Sequence, residues 1–103
     1  MSMNAHDRVA AWPAWAALNA VLPRLRFLME RESAAWEGVD QGLVSKDVAE
    51  SLEERRVRWI DRMVIPRMDR AIWEGWDEVE VLMAVNAAGW SAPLDVPEKG
   101  DKP

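Results

Sequence analysis

From residue 9 to residue 88 the apolar side chains recur every three or four positions, and this rhythm leaves the chain little besides helices to form. Pro13 suits the first turn of a helix, where a missing N–H has no intrahelical partner to lose. Leu18, Leu22, Leu25, Met29 and Trp36, joined by Val21 and Leu28, then mark out one apolar face. Pro23 falls inside this pattern and forfeits a bond to the carbonyl of Asn19, but the phase carries across it, so a kinked, continuous helix is expected. The period is lost between Glu37 and Ser45, a stretch holding Gly38 and Gly42 that predicts a turn. Ser45 is the expected N-cap of a second helix, with Asp47 favourably placed at the positive end of the helix dipole. The apolar face of that helix runs through Val48, Leu52, Trp59, Ile60, Met63 and Val64. Beyond Pro66 it continues through Met68, Ile72, Trp76, Val79, Leu82 and Met83 towards Gly89, the expected C-terminal cap.

Length decides how Pro66 is read. An unbroken helix over 46–88 would span about 65 Å, whereas a compact domain of this size has a radius of gyration of about 13 Å. A break near Pro66 leaves pieces of about 30 and 33 Å, matched to the roughly 36 Å of the first helix. The expected fold is therefore all-α: a small bundle of three helices, the first kinked at Pro23, with a break or kink near Pro66, over residues 1–89. In this reading Gly75 lies inside the last helix, which suggests close approach of another helix or a local bend. Residues 90–103 hold three prolines and five charged groups and are expected to form an extended or disordered tail.

Composition narrows the chemistry. The 103 residues include seven tryptophans but no cysteine or tyrosine, and only one histidine. No disulfide or cysteine-ligated metal is possible, and His6 alone cannot supply the Glu-x-x-His pairs of a di-iron bundle. There is no phosphate-binding glycine loop, nucleophile elbow or His-Glu-x-x-His, and Glu50, Glu53 and Glu54 read as a solvated acidic turn. No enzymatic activity, catalytic residue, cofactor, metal or small-molecule substrate is expected. A net charge of −5 argues against nucleic acid as a partner. The apolar run over 9–23, closed by Arg24 and Arg26, is shorter than the about 20 residues of a membrane span and reads as a buried helix. Asp7 offsets Arg8 and no small-x-small cleavage site comes after, so a cytoplasmic protein, or one incorporated in a particle, is expected. The excess of arginine over lysine and the abundance of alanine suggest a GC-rich genome, bacterial or phage.

Tryptophan combines a large apolar surface with one N–H donor, which favours packing and partner contacts. The last helix is apolar on more than one side, with Trp73, Val81, Ala84, Val85 and Ala88 beside the main stripe. Charge is segregated: four acids and one lysine over 46–54, six arginines and two aspartates over 55–70, four acids over 74–80. An arginine belt of this kind suits an acidic partner surface or a second copy. The expected contact residues are Trp73, Trp76 and Trp90 with Arg55, Arg58, Arg62, Arg67 and Arg70. The function expected is a protein-interaction or assembly component, such as a small subunit of a phage or bacterial assembly, with a stoichiometric inhibitor of another protein as the alternative.

Two strings recur, Ala35-Trp36-Glu37-Gly38-Val39-Asp40 and Ile72-Trp73-Glu74-Gly75-Trp76-Asp77. The Trp36-x-Gly38 turn between two helical segments resembles that of the small helical-hairpin substrates of type VII secretion. That family is described by a Trp-x-Gly turn and a Tyr-x-x-x-acid signal after the second helix. The resemblance implies a hairpin exported with a related partner, Trp73 to Asp77 serving as the signal with tryptophan in place of tyrosine. Pro23, Pro66 and the second Trp-Glu-Gly depart from the long unbroken helices of that pattern.

Overall fold

The computed structural model describes residues 9–92, and every regular element among them is helical. Helix α1 spans Trp12–Asp40, α2 spans Lys46–Trp59, a π-helical turn covers Ile60–Val64, α3 spans Ile65–Trp73 and α4 spans Glu78–Ala87. With the π turn joining α2 to α3, residues 46–73 form one rod, and the molecule is an up-down-up bundle of three helical rods. The first two are matched, at about 44 and 42 Å, and α4 returns beside α1 in the same direction. Its entry lies at Ala11, whose carbonyl accepts the indole N–H of Trp76 at 3.0 Å. Its exit lies at Met29, against which Gly89 packs, and one turn earlier Arg26 donates to the Ala87 carbonyl at 2.7 Å.

Each rod stops by the same device. Gly42, Gly75 and Gly89 all have positive φ, and behind each the chain closes a 5→2 and a 6→1 hydrogen bond onto the last helical turn. At Gly75 these run from Gly75 N–H to Ile72 (3.0 Å) and from Trp76 N–H to Ala71 (3.0 Å). The motif rewards an apolar residue directly after the glycine, and here that residue is Trp76. Gly75 therefore ends a helix rather than lying within one, because its φ of 114° is open to glycine and strained for any L side chain. Gly38 has a different role: a Cβ there would come within 2.5 Å of Val44 Cγ2, so the turn can fold back onto α1 only over a glycine.

The N-termini obey local chemistry. Ser45 accepts the Val48 N–H at 3.3 Å, as expected, and Asp77 accepts that of Val79 at 2.7 Å. Helix α1 runs through Pro23 without a break. The irregularity expected near Pro66 takes the form of the π turn, not a chain reversal. Pro66 has no N–H and its ring crowds the preceding turn. Widening that turn, with Ile65 N–H bonded to the Ile60 carbonyl, absorbs both problems and lets the rod continue. The reversal falls nine residues later, at Gly75.

The core lies between α1, the π turn, α3 and α4. Leu18 and Leu25 face Val64, Val81 and Val85, all fully buried, with Ile60, Met68 and Ala71 completing it. The run over 9–23 is buried on one side only: Ala11, Ala14 and Leu18 face inward, while Val9, Trp12, Pro13, Ala16 and Ala20 face water. Trp90 and Ala92, which the sequence pattern puts in the tail, pack against the core. The rest of the expected tail, 93–103, and His6 lie outside the described residues.

Towards the α1–α2 turn α2 buries little apolar surface, and Ala49 is its sole buried residue. There Arg56 grips Glu32 of α1 with both arms of its guanidinium, at 2.7 and 3.1 Å, the two side chains 16% and 12% exposed. The hydrogen bond from Glu32 raises the Arg56 pKa above its ordinary value; desolvation opposes this, and the charges of Glu32 and Glu53 reinforce it. Arg56 is thus charged at every working pH.

Two outcomes are expected in chemical denaturation. Gly75→Ala should cost at least about 1 kcal/mol through backbone strain. Arg56→Met should cost about 2 kcal/mol by leaving Glu32 buried and unpaired, and the Glu32→Met/Arg56→Met double variant should recover part of that loss. A double variant no more stable than the single would show that the pair contributes through packing alone.

Candidate interaction surface

The tryptophans divide by the turn in which they lie. Trp76, carried inward behind Gly75, is 4% exposed and stacks on Trp15 with ring centroids 4.4 Å apart and planes 21° apart. Trp73, three residues earlier at the last position of α3, is 85% exposed. Trp90 is half-buried against the core. Of the three tryptophans expected at a partner contact, only Trp73 stands free on the surface. Trp76 is a core residue, because the helix ends before it and the chain turns it onto α1.

The arginines are similarly divided. Arg55, Arg58 and Arg62 are exposed and share one face at i, i+3 and i+7 spacing. Arg67 is half-buried and donates to the Met63 carbonyl of the π turn at 3.0 Å. Arg70 is exposed and pairs with Glu74 at 2.9 Å. The expected residues thus do not make one patch: the belt lies on the rod while two of the three tryptophans point inward.

A different surface emerges where α1 begins beside α4. Three shallow depressions adjoin there. Val9, Trp12, Pro13 and Trp76 line the first; Trp12, Trp76, Met83 and Ala84 line the second, together with Trp15 and Glu80; Val79, Leu82 and Met83 line the third, which runs along α4 to Asn86, Ser91 and Ala92. Shared walls at Trp12, Trp76 and Met83 make them one trough. Val9, Val79 and Met83 are each more than 60% exposed and Trp12 is 56% exposed. Among the described residues, Glu80 is the one charged residue in its walls. Such a trough can bury apolar surface of a bound group. Its signal in the sequence is the second apolar side of the last helix, although the periodicity counts Val79 and Met83 with the core.

Among the described residues there is no group of three or more His, Cys, Asp or Glu side chains arranged to hold a metal ion. No helix among them is long and apolar enough to cross a membrane. Of the secretion-substrate pattern, Trp36 and Gly38 fall inside the last turns of α1, and Trp73 and Asp77 flank the turn that starts α4. Compared with known proteins, the chain matches no family model, no curated protein and no solved structure.

The division of the tryptophans has a measurable consequence. Trp76→Ala should destabilise by about 3–5 kcal/mol, and Trp73→Ala by less than about 0.5 kcal/mol, in thermal or denaturant unfolding. Equal losses at the two positions would contradict their assignment to core and surface.

Proposed function

We propose that this protein works without chemistry of its own, as a helical interaction or assembly component that engages another protein surface. The observation that carries the reading is the trough from Val9 to Met83. Singly exposed apolar residues are ordinary on any protein. Here they share walls, and contiguous apolar surface is what binding faces present. The small size supports the same reading. Three rods around one core leave each rod an outward side, and binding covers what folding cannot.

A tagged chain isolated from its native cells tests this. It should retain a second protein, or further copies of itself, in fixed stoichiometry. Trp73→Ser/Met83→Ser should lose the retained protein while keeping its helical circular dichroism and most of its melting temperature, since both side chains are exposed. A chain recovered alone and monomeric at every concentration tried would remove the proposal.

A further inference from the structure

We propose that Met83 is a modification site, at which oxidation by a peroxide switches off the apolar trough. The inference rests on the interaction reading above and names how that same surface is regulated. The chain has six methionines and no cysteine, so thioethers are the only sulfur it offers to a two-electron oxidant. Met29, Met63, Met68 and Met83 lie among the described residues, and the fold treats them unequally. Met68 is 7% exposed within the core, Met29 and Met63 are half-buried, and Met83 is 65% exposed. The oxidant has to reach the sulfur, so of these four Met83 is the one that peroxide meets first.

The place of Met83 makes that reaction consequential. It lines one depression with Trp12, Trp15 and Trp76, and the adjoining one with Val79 and Leu82. A thioether suits both surroundings, because it is apolar, adaptable in shape and favourably disposed towards aromatic rings. In the reaction the sulfur lone pair attacks an oxygen of hydrogen peroxide and the O–O bond breaks. The thioether is oxidised to a sulfoxide, and the peroxide is reduced to water. The new oxygen is a hydrogen-bond acceptor with a strong dipole. A partner seated in the trough must leave it hydrated or bury it unsatisfied, and both weaken binding. Core packing is spared, since α4 turns Val81 and Val85 inward and leaves Met83 in water. The change is also reversible, because methionine sulfoxide reductases return the thioether.

Timed exposure of the full chain to hydrogen peroxide, followed by digestion and mass spectrometry, tests the site. In the folded chain Met83 should gain an oxygen several-fold faster than Met68, and in urea the two rates should converge. An anilinonaphthalene sulfonate dye, which fluoresces on exposed apolar surface, reports on the trough. Oxidation should lower its fluorescence several-fold with unchanged circular dichroism, and treatment with the reductases should restore it. Met83→Leu should bind the dye and keep it through the same peroxide exposure. The proposal is overturned if Met83 reacts no faster than Met68, or if the untreated chain binds no dye. It also falls if oxidised Met83 leaves dye binding unchanged, or if Met83→Leu loses the dye as the wild type does. A companion protein from native cells held equally before and after oxidation of Met83 removes the switch and leaves the interaction role. A chain that retains no companion, yet loses the dye on oxidation, removes that role and keeps Met83 as the oxidation site.

Discussion

The indole of Trp76 closes this fold. Stacked on Trp15 and bonded to the Ala11 carbonyl, it ties the turn after α3 to the start of α1, 65 residues away in sequence. It reaches that place because Gly75 takes a φ that reverses the chain within a single residue. The direction of α4 is set by the same contact. A helix that starts at Ala11 and must bury Val81, Val85 and Ala88 runs up the side of α1 until Arg26 meets its last turn. The positive guanidinium at the negative end of α4 then adds a favourable dipole interaction to the hydrogen bond.

The two ends of the bundle are held by different forces. Around Trp15 and Trp76 the contact is broad, apolar and largely non-directional, which stabilises strongly but tolerates sliding. Around Glu32 and Arg56 little apolar area is buried, and a bidentate ion pair sets how α2 lies on α1. Removing such a pair from water recovers little net energy, yet its fork geometry admits few alternative registers. The π turn lies between the two regimes and turns Ile60 and Val64 into the core while excusing the missing N–H of Pro66.

This arrangement bears on the proposed role. Among the described residues, three rods sharing one core leave apolar side chains exposed on the first turns of α1 and at Val79 and Met83 of α4. The arginines on the second rod are partly committed within the chain: Arg56 to Glu32, Arg67 to the Met63 carbonyl, Arg70 to Glu74. Apolar area on α1 and α4, more than the basic belt, is therefore what the molecule offers a partner.

By itself the sequence determined whatever depends on neighbours within a turn or two. That includes the helical period, the Ser45 cap, the turn before it, the Gly89 stop and the passage of α1 through Pro23. Pro66 announced a missing donor, but a proline can end a helix or widen it. The widening was settled by Ile60 and Val64 finding the α1 core, a contact no local pattern contains. Trp73 and Trp76 are chemically identical, and only the reversal at Gly75 makes one core and leaves the other in water. Arg56 looks like its neighbours in the belt until the fold brings Glu32 to it from 24 residues away. Burial and pairing are properties of distance in space, so the tertiary structure alone decided which apolar side chains became the core and which stayed exposed.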